Sequence, residues 1–417
     1  MNHGQWQLPV DVLAEISRPA TLADPYPFLA WVRDHDPVHL TPTGIYLVTR
    51  YADGREVLQN LELFRNPERD EIFRLFPTAH RHRSQLLLLN TIALHNPPAH
   101  TRLRRLVSRD FTAQRVDDLC SRIVEISDGL VDAVVEPYRD GEEVDLHSAV
   151  ALQLPVQVFG ELLGVPEQDR PELSTLMPAV LAAMHPGATE EDLNQADEVN
   201  RKIESYFIEL AEERRRNPRN DLISACVVMH EDDPDIFSAD EFMSMLWGLW
   251  AGGFATTATA IDHGVLTMLR HPEETHWLRG GFGQARSFVD ELLRYEAPAT
   301  ITAISRFAVR DVPLPGRTIP KGADVRMMFP ACNRDPAAFE VPDRFDPARP
   351  ALHRTHLSFG HGLHYCLGAA LSRMELSIVL PKLHSRLPDL ALVGQPTYGS
   401  ALPVRAVDRL PVVMAAA

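Results

Sequence analysis

A stretch of 19 residues without a single charge, residues 243–261, is the feature that most limits how this chain can fold. Its length is close to what a helix needs to cross a bilayer. However, it contains three glycines and three threonines and is bracketed by Asp240, Glu241 and Asp262. We therefore interpret it as part of one long helix of about 30 residues, continuing to Arg270 and running through the middle of a large folded domain.

The composition indicates a soluble globular protein. With 45% hydrophobic and 24% charged residues, the chain is too apolar to stay disordered and too mixed for several membrane spans. A net charge of -16 disfavours nucleic acid and anionic membranes as partners. Four scattered cysteines and a start that lacks a signal-peptide pattern predict a cytoplasmic location.

Apolar residues recur at helical spacing in most of the chain, which predicts helices over 117–135, 152–163, 191–215 and 285–295. Short strands bounded by glycine or proline are predicted over 45–49, 306–309 and 324–329. Because no long linker, repeat or low-complexity tract divides the chain, we predict one domain, residues 1–417, mainly α with a small β component.

A glycine-rich segment, residues 358–368, leads into a helix whose first turn is predicted to contain Cys366. Its glycines permit positive φ and let a flat group approach the backbone. A helix N-terminus favours the thiolate, the form of sulfur that binds a metal. The alternative is a small buried cysteine beside a turn.

The spacing of Phe359, Gly362, Cys366 and Gly368 decides between these interpretations, because it reproduces the heme-ligand signature F-x-x-G-x-x-x-C-x-G. The chain resembles the cytochrome P450 family over nearly its whole length. The resemblance implies a single-domain P450 fold with the long central helix over the heme, heme b as the cofactor, and Cys366 as the thiolate ligand of the iron. Phe359 and Gly360 are then part of the heme-contacting loop.

Two further motifs resemble the family. Glu291 and Arg294 match its E-x-x-R pair, with both charges on one helical face, although an ordinary surface ion pair is the alternative. Residues 333–345 match the segment whose arginine completes a buried triad, which implies that Arg344 joins this pair in a structural role.

The resemblance also implies which residues bind the heme carboxylates. His100 and Arg104 lie four residues apart on one predicted helix and match the family's propionate-binding pair. Arg306 and His364 match two further propionate ligands. A lone histidine or arginine is otherwise a solvated surface residue, and His80 and His82, which lack further ligands at metal-binding spacing, are predicted on a mobile surface loop.

The activity implied is that of a bacterial monooxygenase that inserts one atom of O₂ into a hydrophobic small molecule of secondary metabolism, by hydroxylation or epoxidation. Since no flavin or nicotinamide site is visible in the sequence, electrons are expected from a ferredoxin and its reductase in trans. Arg102, Arg105 and Arg109 form a basic stripe predicted to face outward and dock the ferredoxin, with an ordinary solvated face as the alternative.

The substrate pocket is implied by family analogy to draw on residues 71–91, 176–190, 250–254, 298–302 and 400–402. Their apolar bias favours a hydrophobic substrate. The side chains expected to line it are Gly253, Phe254, Thr300, Ile301 and Leu402.

One position departs from the family. Thr256 matches the central-helix threonine that supports proton delivery, but Ala255 stands where an acid normally precedes it. Alanine cannot carry a proton, so we hypothesise that the substrate assists or that the reaction needs less proton delivery. Ordered water is the neutral alternative, and oxidative ring coupling or peroxide-driven oxidation is the alternative chemistry. A heme sensor without catalysis is disfavoured because Gly253 and Thr256 fit an oxygen-handling groove.

Overall fold

The computed structural model describes residues 6–8, 10–176, 179–180, 188–233, 235–400 and 402–415. Helices dominate this part of the chain, and they span Val12–Ile16, Pro19–Ala23, Tyr26–His35, Tyr51–Gln59, Arg69–Leu75, Arg83–Leu89, Ala99–Val107, Ala113–Arg139, Gln153–Leu163, Arg170–Thr175, Glu190–Arg216, Leu222–Asp232, Ala239–Gly253, Ala255–Arg270, Phe282–Tyr295, Phe329–Asn333, Leu352–Thr355 and Ala369–Arg386. The mainly α fold class and the four helices predicted from apolar spacing are confirmed.

The strands are short, and they span β1 (Val38–Leu40), β2 (Tyr46–Val48), β3 (Phe64–Arg65), β4 (Val144–Asp145), β5 (Arg306–Ala308), β6 (Val312–Leu314), β7 (Arg317–Ile319), β8 (Asp324–Met327), β9 (Leu390–Leu392), β10 (Thr397–Ser400), β11 (Ala406–Arg409) and β12 (Pro411–Met414). The three predicted strands correspond to β2, β5 and β8. The small β component is therefore confirmed.

The predicted single long helix is wrong in one respect, because it is interrupted at Phe254. One helix ends at Gly253 and the next begins at Ala255. Two adjacent glycines, 252 and 253, carry the lowest helix propensity apart from proline and weaken the backbone at this point. Phe254 itself is buried. The break thus falls immediately before Ala255 and Thr256.

The chain divides into two compact units. The first comprises residues 1–65, 120–154 and 256–417, and the second comprises residues 66–119 and 155–255. In the first unit a five-stranded sheet has the order β1-β2-β8-β5-β3, in which β2 and β8 are parallel and the other pairs antiparallel. A second sheet has the order β4-β12-β9 and joins the middle of the sequence to its last strand.

The core of the first unit forms around these sheets. One cluster of buried side chains includes Val48, Val325 and Met327 from neighbouring strands. Another joins the helix Tyr26–His35 to the strand region through Phe28, Trp31 and Met328. Alternating strand residues supply these apolar contacts, and they hold the sheet that carries Arg306.

The second unit is helical. Its helix Arg83–Leu89 packs against both Glu190–Arg216 and Ala239–Gly253. Arg83 donates to Glu204 on one of these helices and to Asp240 on the other. Asp197 accepts hydrogen bonds from the backbone N–H and the hydroxyl of Ser84, at 2.8 and 2.7 Å. Among the described residues, no helix is long and apolar enough to cross a bilayer.

Candidate active site

Cys366 lies just before the helix Ala369–Arg386 rather than in its first turn, so that part of our prediction is wrong. Gly368 is the N-cap of this helix, which leaves Cys366 two residues outside it. A short 3-10 turn, Gly362–His364, comes before the cysteine. The Cys366 N–H donates to the carbonyl of Phe359 at 2.9 Å, which closes the loop. Cys366 is an exposed residue.

Two glycines shape this loop, hereafter the ligand loop (residues 356–366). Gly360 and Gly362 have φ of +70° and +71°, a region that side chains with a Cβ disfavour. A Cβ on Gly362 would also lie only 3.0 Å from the Cα of Gln59 and the carbonyl oxygen of Leu58. Glycine is therefore needed at position 362 both for its backbone conformation and for the close approach of a neighbouring helix.

Asn333 anchors the start of the ligand loop. Its Oδ1 accepts the N–H of Leu357 at 2.7 Å, and its Nδ2 donates to the Ser358 hydroxyl at 2.8 Å. The Asn333 carbonyl in turn accepts from Arg294 Nη1 at 2.9 Å. The E-x-x-R arginine is thus linked through one asparagine to the loop that carries the cysteine.

Glu291 and Arg294 form a fully buried bidentate ion pair, as predicted for a structural role. Arg294 Nε and Nη2 lie 2.7 and 2.8 Å from the two Glu291 oxygens, and both side chains are 0% exposed. Parallel N–H···O bonds of this kind are strong and directional. The surface-pair alternative is excluded by this burial.

The third member of the triad is Arg349, not Arg344. The side chain of Arg344 is exposed, and only its backbone carbonyl contacts Arg294. Arg349 Nε instead lies 3.2 Å from Glu291 Oε1, with its side chain 11% exposed. Because the Arg344 carbonyl accepts hydrogen bonds from both arginines, its backbone faces inward and its side chain projects into solvent.

Arg306, on β5, provides a test of whether this unit fits a carboxylate-bearing cofactor. The residue is 6% exposed, and within the described part of the chain its guanidinium contacts no carboxylate and donates only to the Ser305 carbonyl, at 3.4 Å. Burial lowers the pKa of this guanidinium to about 10, so it remains charged at neutral pH. Since a buried cation normally has a counter-ion, Arg306 fits a cofactor carboxylate.

His364 is half-buried in the turn before Cys366.

In the second unit, the helix Ala99–Val107 carries the predicted pair His100 and Arg104. His100 is buried and Arg104 is half-buried. The basic stripe, which extends from this helix into the 3-10 turn Ser108–Phe111, is only partly as predicted. Arg105 and Arg109 are exposed, but Arg102 binds Glu241 and donates to the Ile236 carbonyl at 2.7 Å. Arg102 is therefore engaged within its own unit, because an acidic residue on the helix Ala239–Gly253 faces it.

His82 is not on a mobile surface loop, which corrects another prediction. It is 3% exposed, and its Nδ1 lies 2.9 Å from Asp197 Oδ2. The reason is that two acidic side chains of a neighbouring segment, Asp197 and Glu190, face the ring. His80 is exposed, as expected. Within the described residues, no three His, Cys, Asp or Glu side chains form a metal cluster.

Ala255 and Thr256 open the helix Ala255–Arg270, and both are half-buried. Just before them, a Cβ on Gly253 would lie 2.6 Å from the Phe159 ring, so only glycine fits there. Phe254 is 4% exposed and its ring lies 6.3 Å from that of Trp250. The glycine thus serves close packing against Phe159.

The remaining predicted pocket residues lie close together in the first unit. The Thr300 N–H donates to the Pro403 carbonyl at 2.8 Å. Ile301 bridges to Met328 and packs, with the half-buried Leu402, in the apolar cluster of the N-terminal helices. Residues 177–178, 181–187 and 401, also predicted for the pocket, lie outside the described residues.

Sequence reasoning missed a buried charge on the central helix. Asp262 is 0% exposed, and its Oδ2 lies 2.8 Å from His147 Nδ1. Burial raises the pKa of Asp262 to about 6. The pKa of His147 is also raised, because its hydrogen bond to Asp262 and that carboxylate's charge outweigh burial. In the sequence, Asp262 marks only the end of the uncharged stretch 243–261, and no motif connects it with His147.

Comparison with known proteins shows the family to which this chain is similar. The sequence model of Cytochrome P450 matches residues 141–280 and 285–386. Cytochrome P450 BJ-3 of Bradyrhizobium diazoefficiens is 44% identical over 411 residues, 96% of each chain. The mycinamicin IV hydroxylase/epoxidase of Micromonospora griseorubida is 37% identical over 373 residues, 88% of this chain and 89% of the relative.

A solved structure gives the same result. The myxobacterial cytochrome P450 CYP267B1 in complex with myristic acid has a TM-score of 0.85 at 34% identity, covering 97% of this chain and 99% of the other. Residues 285–386 of the family-model match include the ligand loop and the Glu291–Arg294 pair. The chain therefore belongs to the cytochrome P450 family of monooxygenases, which bind heme b.

Proposed function

We propose that this monooxygenase acts on a hydrophobic secondary metabolite, by hydroxylation or epoxidation, with Cys366 as the thiolate ligand of the heme iron. The observation that carries the proposal is the exposed cysteine at the end of a glycine-shaped loop. The mycinamicin hydroxylase/epoxidase and the myristate-bound structure support the reaction type and an apolar substrate.

The assignment of Cys366 is tested by the absorption spectrum of the reduced protein under carbon monoxide. The wild-type protein should show the red-shifted Soret band of thiolate ligation, and C366H should lose it. Cys120, which is half-buried on a helix outside the loop, supplies the control variant C120S, which should retain the band. A histidine-type band in folded wild-type protein would overturn the proposal.

The site described above also indicates which residues would hold the heme. Arg306 and His364 would bind its carboxylates in the first unit, and Phe359 and Gly360 would contact its face. For His100 and Arg104 the proposal rests on the sequence motif and on the burial of His100. When bound, heme b supplies the activation of O₂ from which one oxygen atom enters the substrate.

Thr256 would donate a hydrogen bond at the oxygen-binding position; when it passes that proton on, its hydroxyl oxygen must take up another proton from a neighbouring donor. Ala255 cannot resupply it. This observation also favours the alternative, that the enzyme catalyses ring coupling or uses peroxide. Product analysis under ¹⁸O₂ separates the two, since only monooxygenation places one labelled atom in the product.

Electrons are proposed to come from a ferredoxin and its reductase, in the cytoplasm. Because Arg102 is held by Glu241, the exposed Arg105 and Arg109 are the better candidates for docking an acidic partner. R105E and R109E should slow reduction by ferredoxin at low salt, and the effect should fade as salt rises. Equal rates for wild type and both variants at low salt would contradict this docking site.

We also propose that the two units fold as one domain, residues 1–417. The chain passes between them four times, at residues 65, 119, 154 and 255. A unit assembled from separate segments lacks an independent stretch of sequence from which to fold. Calorimetry of the holoenzyme should therefore show one cooperative transition. Two resolved transitions would argue against a single domain.

A further inference from the structure

Arg373 is a buried cation that contacts three side chains of the ligand loop. It lies on the helix Ala369–Arg386, seven residues after Cys366, and is 4% exposed. Its Nη1 donates to the Tyr365 hydroxyl at 3.1 Å, and its Nη2 lies 3.1 Å from His356 Nε2. Its guanidinium carbon stands 4.3 Å from the centre of the Phe359 ring. One side chain thus contacts the beginning, the middle and the end of the loop.

These contacts complement those described for Asn333. That residue binds the backbone at Leu357 and the side chain of Ser358, and so controls only the start of the loop. Tyr365 is the residue immediately before Cys366. The arginine is therefore a buried polar group that reaches the neighbour of the cysteine, and its cation is also attracted to the face of the Phe359 ring.

Asp290, on the helix Phe282–Tyr295, provides the counter-charge. Arg373 Nε donates to its Oδ1 at 2.7 Å, and the aspartate is 5% exposed. Burial raises the pKa of Asp290, but its hydrogen bond with His356 and the charge of Arg373 outweigh burial and leave it below the ordinary value. The aspartate is thus ionised at neutral pH. Arg286, on the same helix and partly exposed, lies 3.6 Å from its second oxygen.

His356 does not add a charge at neutral pH. Burial lowers its pKa, and although Asp290 opposes this shift, Arg373 adds to it. The ring Nδ1 accepts the N–H of Ser358 at 3.3 Å. The neutral ring therefore leaves Arg373 and Asp290 as a hydrogen-bonded pair of opposite charges beside the ligand loop, with the partly exposed Arg286 against the second oxygen of Asp290.

From this arrangement we propose that Arg373 is a positioning residue for the axial ligand: together with Asp290 it holds the ligand loop in the conformation that presents the Cys366 sulfur, and its charge sets how strongly that sulfur donates to iron. The inference rests on the proposed role of Cys366. Partners outside the ligand sphere commonly control both the orientation and the electronic properties of a metal ligand.

The charge argument makes opposite predictions for the two partners. R373M removes the cation and leaves Asp290 buried near the loop, so the ferric form is favoured and the reduction potential falls. D290N is nearly isosteric and leaves the cation in excess, so the potential rises. The double variant R373M/D290N should return towards wild type. Loss of packing alone would not shift the potential in opposite directions in the two single variants.

The positioning argument is tested with the carbon monoxide complex of the same holoenzymes. R373M should convert from the thiolate-ligated to the thiol-ligated spectrum about tenfold faster than wild type, because a hydrogen bond to a charged group contributes at least about this factor. R373K keeps the charge but not the forked contacts, so it should convert faster with a nearly unchanged potential. R386M, on the outer part of the same helix, is the control and should match wild type.

The outcomes separate this inference from the proposed function. If the wild type lacks a thiolate spectrum, the role of Cys366 fails. If the wild type shows the spectrum but R373M and R373K convert at its rate, or if R373M and D290N shift the potential in the same direction, the inference about Arg373 is wrong. Should R373M fail to fold, R373K and D290N still decide between these results.

Discussion

Replacement of the triad arginines gives the sharpest test of how the buried Glu291–Arg294 pair is supported. R344M and R349M change the same residue type to the same side chain, five positions apart. The structure predicts very different costs, because Arg349 contacts Glu291 at 3.2 Å whereas the side chain of Arg344 is exposed. R294M serves as the severe reference.

The magnitudes follow from the contacts that are lost. R294M removes the bidentate partner of a carboxylate that is 0% exposed, and breaking a buried pair costs about 3–5 kcal/mol. R349M removes one hydrogen bond to that carboxylate and three to the backbone carbonyls of residues 340, 341 and 344. Because Arg294 still neutralises Glu291, the loss should stay below that of R294M, at about 1.5–3 kcal/mol. R344M removes an exposed side chain and should stay within about 0.5 kcal/mol of wild type.

Equilibrium urea unfolding, followed by far-ultraviolet circular dichroism, measures these differences as shifts of the midpoint. The expected order of stability is wild type and R344M together, then R349M, then R294M. The reasoning would be refuted if R344M were as destabilised as R349M, because the side chain of residue 344 would then complete the triad. An R349M variant as stable as wild type would equally show that its bond to Glu291 contributes nothing.

Three further predictions concern pH, coupling and cofactor retention. The pKa of His147 is raised and that of Asp262 is raised to about 6, so their charged pair stabilises the fold most just above pH 6 and less as pH rises through the raised value of His147. The difference in melting temperature between wild type and H147Q should therefore shrink from pH 7 to pH 9, and a constant difference would contradict it. A255E should divert fewer electrons into peroxide with surrogate substrates that lack a polar group, and unchanged peroxide yield would count against the substrate-assisted account. R306M should lose heme to apomyoglobin roughly tenfold faster, whereas the exposed control R310M should not, and equal rates would remove Arg306 from the heme site.

The features that could be predicted from the sequence are those whose pattern lies within a short stretch of residues. The motif around Cys366 spans ten residues, so its loop could be recognised without any long-range contact. The E-x-x-R pair is likewise set by helical spacing. Arg344 was the wrong choice because residues 341–349 form an irregular segment, in which side-chain direction has no period.

Ion pairs between residues far apart in the sequence could not be predicted from the spacing of apolar residues. The pairing of Arg102 with Glu241 joins positions 139 residues apart, and that of His147 with Asp262 joins positions 115 residues apart. Amphipathic analysis of one helix correctly placed Arg102 away from the apolar side, but it could not show that another helix would cover it. The interruption at Phe254 was missed because the apolar pattern continues across the two glycines.

The sheet β4-β12-β9 has a consequence for how the protein is made. The Leu410 N–H donates to Asp145 Oδ1 across 265 residues, and β12 then aligns beside β4. Closing so large a loop carries a high entropic cost and slows folding. During synthesis this sheet cannot form until the ribosome has delivered the residues of β9 and β12. Until then Val144 lacks its final strand partner, and unpaired apolar strands of this kind make an incomplete chain prone to aggregation.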